Sequence, residues 1–298
     1  MIPFHIVTGW LGSGKTTLLK KILHEYGSTK RIAVIQNEFA PSGVDGKELQ
    51  STNEDFKLIE INNGSVFCVC QLDNFMGVLE KLSTDYEPEV IFLESSGLAD
   101  PISIAEILQS PKIKDKISLK SIHTVVDALN FERTFQMMSR FKHQVMVADK
   151  LIVNKIDLKE DIQESVIDHL KKWNPFAEIV TTSHCEIDFA DIFEDKHADN
   201  MMMLPNVKSG SKPDMGLSLL RMHDKIAKEK LISFIEGILS TSDRIKGFVN
   251  LDDGSTVAVQ SVYNDYEIHK MENYDGRSEL IIFNNTYSPR ELQKMFKG

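Results

Sequence analysis

The sequence predicts an α/β fold, with a mainly parallel sheet flanked by helices, followed by a smaller C-terminal α+β domain. Three observations lead to this prediction. Short β-branched runs alternate with longer helical patterns through the first two hundred residues, which is typical of parallel sheets. A glycine-rich turn joins the first such run to the first helical pattern. Near residues 194–216 the composition shifts to Pro, Gly, Asn, Lys and Met without a period, which indicates a linker or surface loop.

The strands of the predicted sheet are short apolar runs, and the helices repeat apolar residues three and four positions apart. The strands are predicted at Phe4 to Thr8, Arg31 to Gln36, Val90 to Glu94, Ser121 to Asp127, Leu151 to Asn154 and Glu178 to Thr182. The helices are predicted at Lys15 to Glu25, Leu72 to Leu82, Ile102 to Leu108, Phe131 to Val147 and Ile162 to Trp173. Phe56 to Asn62 also alternates like a strand, but its pattern gives it no place in the sheet.

The smaller domain is predicted from the elements that follow the linker. A helix is expected at Asp224 to Leu239, and strands are expected near Lys246 to Leu251, Thr256 to Tyr263 and Leu280 to Phe283. Ser288 and Pro289 suit the N-cap and first position of a last helix. We therefore expect a first domain at residues 1–194, a linker at 195–216 and a second domain at 217–298.

Composition excludes several classes of protein. The 298 residues carry 34 basic and 44 acidic side chains, a net charge of −10, which disfavours nucleic-acid binding through phosphate neutralisation. No apolar run reaches the roughly 18 residues of a membrane span, so no membrane partner is expected. Three cysteines and a start without a basic, apolar leader indicate a reduced compartment. We expect a cytoplasmic protein.

The strongest motif runs from Gly9 to Thr16 and fits the phosphate-binding pattern G-x-x-x-x-G-K-[ST]. It follows a predicted strand and opens a predicted helix, as a P-loop NTPase requires. Glycines allow backbone N–H groups to surround phosphates, the lysine adds a positive charge, and the threonine hydroxyl can ligate Mg²⁺. The predicted phosphate-binding residues are Gly9, Gly12, Ser13, Gly14, Lys15, Thr16 and Thr17.

A second motif, Asn154-Lys155-Ile156-Asp157, follows an apolar strand and indicates guanine recognition. The Asp157 carboxylate can accept hydrogen bonds from guanine's ring N–H and exocyclic amine, which adenine lacks on that edge, so a wrong base leaves an acceptor unpaired. Asn154 would orient the loop, and the Lys155 stem would cover the base. Ser183, after the next strand, is predicted to lie at a second base-contacting loop.

Two further strand ends are candidates for sensing the γ-phosphate. Glu94 ends an apolar strand and would hold Mg²⁺, while the N–H group of Gly97 would meet a γ-phosphate oxygen. Glu38, after an earlier strand, would help position Mg²⁺, the attacking water or a second metal, and the sequence leaves these roles open. Lys15, Thr16, Glu38 and Glu94 are the candidate catalytic residues.

The ordered segments GWLGSGKTTLL, NEFAPSGVDG, NNGSVFCVC, ESSGLADP, VVDA and NKID resemble the CobW-type family of P-loop GTPases. RIKGFV also resembles the start of that family's C-terminal domain. The resemblance implies a relative of the nickel-insertion and urease GTPases, with Glu94 at the family's Mg²⁺-binding acid. It further implies delivery of a metal, chiefly zinc or cobalt, to a client protein under control of GTP.

The family's metal signature, G-C-x-C-C, is altered in this chain. Only its third cysteine is matched, at Cys68, because Ser65 and Phe67 occupy the first two positions, and Cys70 adds a thiol two residues later. Two thiolates can reach one Zn²⁺ or Co²⁺ ion, but a closed zinc site needs four ligands. Glu38 is the candidate third ligand. His184, Cys185 and His197 are weaker candidates. The methionines at 201–203 could form a thioether site for Cu(I), but an exposed or partner-facing apolar patch is favoured there.

These observations together predict a GTP-binding protein that hydrolyses GTP slowly with Mg²⁺ and acts as a zinc or cobalt metallochaperone or metal-insertion GTPase. The nucleotide-binding motifs contain no arginine, so a partner or a second copy in a homodimer would supply one. A different reading is a GTP-dependent chaperone of a corrinoid-dependent or other cofactor-dependent enzyme, without metal handling. The same P-loop is also compatible with a small-molecule kinase, although the motif from Asn154 to Asp157 argues against that reading, and with a nucleotide sensor without catalysis.

Overall fold

The structure is a computed structural model that describes residues 1–37, 56–61, 69–97, 99–132, 139–158, 163–190, 217–262, 265–271, 274, 276–284 and 286–297. Several predicted features lie outside this described part. They are the linker at 195–216, Glu38, Cys68, His197 and the side chain of Cys70. The domain boundaries therefore stay a prediction.

The N-terminal half contains a sheet of seven parallel strands, in the order β3-β2-β4-β1-β5-β6-β7. The strands are β1 Ile2–Gly9, β2 Ile32–Asn37, β3 Lys57–Ile61, β4 Val90–Glu94, β5 Ile117–Asp127, β6 Lys150–Asn154 and β7 Glu178–Thr181. The six predicted strands are confirmed. The segment that had no predicted place becomes the edge strand β3, with Val34 of β2 opposite Leu58.

Among the described residues, five helices accompany this sheet, and their positions follow the predicted periodicity. They are α1 Lys15–Tyr26, α2 Val69–Lys81, α3 Pro101–Leu108, α4 Ser139–Val147 and α5 Gln163–Trp173. A π-helical turn, Leu82–Tyr86, continues α2. Helix α3 begins where the Asp100 carboxylate accepts the N–H of Ile102 at 3.0 Å and proline occupies the first turn, a favourable N-terminus.

The sheet is buried on both faces, as expected for parallel strands with helical crossovers. On one face α1 buries Leu18, Leu19, Ile22 and Leu23 against Val7 and its neighbours. On the other face α2, α3, α4 and α5 cover the strands. Buried apolar area stabilises the domain by roughly 25 cal/mol per Å², so these faces supply most of the folding free energy.

The C-terminal part forms a separate antiparallel sheet in the order β11-β10-β9-β12-β8. Its elements are β8 Leu217–Met222, α6 Lys228–Leu239, β9 Ser242–Asn250, β10 Thr256–Val262, β11 Asp265–Met271, β12 Ser278–Asn284 and α7 Pro289–Lys297. The α+β prediction is confirmed. At the start of α7, Ser288 and Glu291 exchange hydrogen bonds at 2.8 and 3.4 Å, which is a capping box.

Two strands of this second sheet were not predicted. β11 is an exposed edge strand of mostly polar residues in which Tyr266 and Ile268 alternate with polar neighbours, a pattern too short to predict a strand. β8 begins directly after the predicted linker, and the irregular composition of the linker gave no indication that a strand follows it. The predicted helix at 224–239 begins only at Lys228, because Ile226 forms an isolated bridge with Leu251.

The second sheet joins the two parts of the molecule. One face packs on α6 and α7 through residues such as Val249, Val259 and Ile282. From its other face, Phe248, Ala258 and Ile281 belong to the same apolar cluster as the helices of the first domain. The described part of the chain contains no helix long and apolar enough to cross a bilayer.

Candidate nucleotide site

The P-loop connects β1 to α1 and has the conformation that its glycines predict. Gly9, Gly12 and Gly14 have φ of 136°, 75° and 114°, a region that favours glycine. Gly14 is needed for a second reason, because a Cβ there would lie 2.5 Å from Asn154 Nδ2. Gly14 is also the N-cap of α1 and offers no side chain to its amides. The first N–H groups of the helix are thus open to an anion.

Lys15 and Ser13 line the inside of this loop. Lys15 is 7% exposed, and its Nζ donates to the carbonyl of Trp10 at 3.3 Å, across the loop that phosphates would enter. The buried Ser13 hydroxyl has no hydrogen-bond partner among the described residues. A buried cation and an unpaired hydroxyl suit a phosphate group, which accepts from both. Thr17, in the first turn of α1, is partly buried.

Thr16, Glu94 and Gln36 form a hydrogen-bonded row at the carboxyl ends of the sheet. The Thr16 hydroxyl donates to Glu94 Oε1 at 2.8 Å. Glu94 Oε2 accepts from Gln36 Nε2 at 2.7 Å. The carboxylate is 6% exposed. A hydroxyl beside a buried carboxylate is an oxygen donor set that fits Mg²⁺, so the residues present match the predicted ion.

Gly97, after β4, lies against the P-loop. A Cβ at this position would be 2.9 Å from the main-chain nitrogen of Leu11, so a larger residue would displace one loop from the other. The Gly97 carbonyl accepts from Gln144 Nε2 at 3.2 Å. The glycine is therefore close enough to the phosphate loop for its predicted contact.

Asn154 and Lys155 connect the second motif to the P-loop. Asn154 Nδ2 donates to the carbonyl of Ser13 at 2.9 Å, and its Oδ1 accepts the N–H of Cys185 at 3.0 Å. Lys155 Nζ donates to the carbonyl of Gly12 and to Asp127 Oδ2, both at 2.7 Å. One amide and one ammonium group thus hold three loops together.

Asp157 points to solvent beside Ser183. The Ser183 hydroxyl donates to this carboxylate and lowers the pKa of Asp157 below its usual value. The acid is consequently ionised at neutral pH and can accept hydrogen bonds. Three nearby residues, Lys155, His184 and Cys185, have φ of 66°, 55° and 57°. Non-glycine residues in this region carry strain that is common at functional sites.

The weaker metal-ligand candidates do not form a site in the described residues. Burial raises the pKa of the Cys185 thiol to about 12, and its Sγ donates to the Gly14 carbonyl at 3.4 Å, so Cys185 supports the P-loop. His184 is exposed. In the part of the chain that is described, no three His, Cys, Asp or Glu side chains lie together in a way that could hold a metal ion.

Three residues of the site were not singled out from the sequence. Gln36 donates to the Glu94 carboxylate, the Asp127 carboxylate accepts from Lys155, and Gln144 donates to the Gly97 carbonyl. Asp127 and Gln36 do carry a usable signal, because each is a polar residue at the carboxyl end of an apolar strand. Gln144 has none, since it lies inside a helix.

The comparison with protein families decides the assignment. The model of the CobW/HypB/UreG nucleotide-binding domain matches residues 3–181, which include every described element of the site apart from Ser183 to Cys185. The chain belongs to this family. The CobW-type resemblance noted from the motifs is thereby confirmed.

Similar proteins carry names that mention zinc. The chain is 31% identical over 186 residues to the "Zinc chaperone CobW" of Sinorhizobium sp, covering 53% of this chain and 51% of that protein. It is 32% identical over 200 residues to the "Zinc-regulated GTPase metalloprotein activator 1" of Schizosaccharomyces pombe, covering 63% and 47%. The CobW-family chain thus spans about half the length of these relatives.

A solved structure shares the fold over the whole chain. The Zn(II)-bound YjiA GTPase from E. coli has a TM-score of 0.53 and 22% identity, covering 100% of this chain and 98% of that one. A Zn(II)-bound variant of the same protein, with one glutamate and two cysteines replaced by alanine, gives 0.52 and 21%. These matches support the fold of both sheets in this family member.

Proposed function

We propose that this protein binds GTP with Mg²⁺, hydrolyses it slowly, and uses the nucleotide to control the transfer of zinc to a client protein. The observation that carries the nucleotide assignment is the pair of hydrogen bonds made by Asn154, one to the P-loop at Ser13 and one to the base loop at Cys185. The two bonds hold the P-loop, which would bind the phosphates, in a fixed position relative to the loops that would contact guanine.

Guanine is the base that the residues of these loops support best. Asp157 is exposed and ionised beside Ser183, so it can accept two N–H groups from the guanine edge. Lys155, held by Gly12 and Asp127, would lay its aliphatic stem along the base. Adenine offers neither donor to this carboxylate, so only guanine would gain the two hydrogen bonds, which favours GTP over ATP.

Hydrolysis would depend on positioning and charge. Lys15 and the α1 amides would bind the β- and γ-phosphates, and Thr16 and Glu94 would hold Mg²⁺, which neutralises charge developing on the phosphate oxygens. Gly97 would orient the terminal phosphate through its N–H. The nucleotide-binding motifs contain no arginine, so we expect slow turnover unless an activating partner or a second copy supplies one.

The guanine assignment is tested by Asp157→Asn. We expect GTP affinity to fall by about 100-fold or more, whereas xanthosine triphosphate should bind better, because an amide can donate to its extra carbonyl. Calorimetry with both nucleotides measures this exchange. Asp252→Asn, at an exposed site of the other domain, is the matched control. Equal GTP affinity in wild type and Asp157→Asn would refute guanine reading.

The zinc part of the proposal rests on the relatives' names and on the thiols. Zinc chaperone names favour zinc over cobalt and over the corrinoid alternative. Cys68, Cys70 and Glu38 remain the proposed ligands. Thiolate ligands also suit a reduced, cytoplasmic location.

A cobalt titration tests the proposed ligands, because thiolate-bound Co²⁺ absorbs strongly in the near ultraviolet. We expect this absorption in wild type and in Cys185→Ala, whose thiol is buried under the P-loop. A double Cys68→Ala, Cys70→Ala variant should lose it, and the GTP hydrolysis rate should then no longer respond to Zn²⁺. Absorption that is missing in wild type, or retained in the double variant, would exclude the thiol site.

A further inference from the structure

Two consecutive residues of α4, His143 and Gln144, connect the loop after β4 to the C-terminal sheet. Gln144 is fully buried, and its Nε2 donates to the carbonyls of Gly97 at 3.2 Å and Ala99 at 2.9 Å. Its own main-chain carbonyl accepts the Thr124 hydroxyl at 2.9 Å. The helix is therefore tied to β5 at the residue that holds the Gly97 loop.

His143 continues the connection into the other domain. Its Nδ1 lies 3.2 Å from Asp100 Oδ1, and its Nε2 lies 3.3 Å from Glu279 Oε2 of β12. Asp100 is the N-cap of α3 and directly follows Ala99. One imidazole thus bridges the end of the Gly97 loop and the second sheet.

The same carboxylates belong to a row of ion pairs that begins at Asp100 and ends at Glu106, so that helix α3 closes it into a ring. Arg221 of β8 donates through Nε to Glu279 and through Nη1 to Glu106 of α3, both at 2.9 Å. Burial opposes charge at His143, but hydrogen bonds to Asp100 and Glu279 raise its pKa to about 9. The ring therefore holds an imidazolium between two carboxylates at neutral pH, and each bond in it is charge-assisted.

This arrangement has a consequence for the γ-phosphate. Gly97 lies against the P-loop at Leu11, and its orientation is fixed by the Gln144 amide. If the second sheet shifts, Glu279 moves His143 and Asp100, and Gly97 and Ala99, which accept hydrogen bonds from Gln144, have to follow. A diphosphate lacks the γ-phosphate that Gly97 would contact, so only a triphosphate would experience the change.

We propose that Gln144 is a positioning residue for the γ-phosphate, and that His143 and Glu279 make its action dependent on the C-terminal sheet. The inference rests on the proposed GTP binding. Because coupling between two sites is reciprocal, a triphosphate at the P-loop would in turn strengthen the attachment of β12 to α3 and α4. A client bound to the second sheet would therefore respond to whether GTP or GDP occupies the P-loop.

The test compares the affinities for GDP and for a non-hydrolysable GTP analogue by calorimetry, with Mg²⁺ present. In Glu279→Gln, we expect the affinity for the analogue to fall at least about fivefold, which is the lower end of common coupling strengths. The affinity for GDP should stay within about twofold. Arg244→Gln is the matched control, because it breaks a different contact between the domains, to Asp149, and should leave the ratio unchanged.

A second variant separates positioning from folding. Gln144→Met removes the amide donors at nearly constant volume, and it should lower the analogue affinity in the same way. The double variant Gln144→Met, Glu279→Gln should show less than the sum of the two losses, since both act through one loop. If Gln144→Met does not fold, Glu279→Gln and His143→Gln still decide the outcome.

The failures of the two proposals are distinguishable. Wild-type protein that binds neither nucleotide would overturn the proposed function and this inference with it. Wild-type protein that binds both, with an unchanged ratio in Glu279→Gln or an equal change in Arg244→Gln, would overturn the coupling alone.

Discussion

Gln36 shows how a buried side chain outside the named motifs can set the properties of an ion site. Its amide donates to Glu94 Oε2 and leaves Oε1 to accept from Thr16. This fixes which carboxylate oxygen faces the P-loop side. Partners of metal ligands commonly change metal affinity by about 10- to 100-fold.

We therefore expect Gln36→Leu to raise the Mg²⁺ concentration needed for half-maximal GTP hydrolysis by about 10-fold. The rate at saturating Mg²⁺ should change much less, because Glu94 itself remains. A Mg²⁺ titration of the hydrolysis rate measures both quantities. Gln260→Leu, in β10 of the C-terminal sheet, serves as control, and an unchanged Mg²⁺ requirement in Gln36→Leu would contradict the assigned role.

The sequence was informative at single residues where one local pattern carries the chemistry. The P-loop glycines connect β1 to α1, Lys15 and Thr16 open α1, and Asn154 ends β6, whereas their roles in nucleotide binding stay predictions. The partners of these residues were harder to predict, because Asp127 is 28 positions away from Lys155 and only the sheet brings them together. A motif specifies the groups that act, whereas the fold specifies the groups that hold them.

At the scale of elements, Asn174 is the side chain that ends α4 and starts the turn into β7. Its Nδ2 donates to the carbonyls of Val145, Met146 and Ala148 at 2.8, 3.0 and 2.9 Å. Its Oδ1 accepts the N–H groups of Phe176 and Ala177. One buried amide thus satisfies backbone groups of two segments.

Asn174→Ala would remove the partner of the Met146 carbonyl and of the N–H groups of Phe176 and Ala177. The carbonyls of Val145 and Ala148 would keep the N–H of Ala148 and the Lys246 ammonium as donors. Unpaired buried groups cost about 1–3 kcal/mol each, and partial relaxation leaves an expected loss of about 3 kcal/mol in the free energy of unfolding. Urea denaturation measures it. Asn250→Ala, which removes one donor bond to the Gly276 carbonyl and one acceptor bond from the Thr256 hydroxyl, should cost clearly less than Asn174→Ala. Equal losses in the two variants would show that the Asn174 contacts stabilise the protein no more than the Asn250 contacts do.

Elements were predictable where their own periodicity was strong, and not where pairing alone defines them. Helices α1 and α5 began and ended within one or two residues of prediction. No local pattern indicates the role of Asn174, because its amide caps a helix that ends 27 positions earlier, at Val147. The edge strands β3 and β11 depend on hydrogen bonds to neighbouring strands, which their local patterns do not encode.

At the scale of the whole molecule, charged contacts tie the two domains together. Arg244 and Lys246 of β9 pair with Asp149, and Lys246 also donates to the carbonyl of Ala148. Burial alone would raise the pKa of Asp149, but these two cations hold it well below its usual range. The ring around His143 forms the second contact.

The His143 ring predicts how stability depends on pH. Its pKa is about 9 in the folded protein, against about 6.5 in an unfolded chain. The contribution is therefore complete below pH 6.5 and is lost as pH rises through 9. It amounts to about 2 kcal/mol after allowance for the quarter of the side chain that is exposed. Asp100, Glu279, Glu106 and Arg221 keep their charges throughout this range.

The measurement is the difference in unfolding free energy between wild type and His143→Gln at pH 6.5 and pH 9.5. The comparison with the variant is needed because burial lowers the pKa of Lys246 to about 8. Above that pH the deprotonation of Lys246 makes the free energy of unfolding rise, which opposes the loss that comes from His143. We expect the gap between the two proteins to shrink as pH rises. A gap that is constant or grows would show that His143 is not charged in the ring.

The apolar layer shared by Phe248, Ala258 and Ile281 with the first domain has a practical consequence for protein engineering. A fragment that stops before residue 217 would expose this apolar surface to water and would aggregate during expression. Exchanging the C-terminal module between relatives would succeed only if the donor's α3 and α4, which pack against it, were transferred with it.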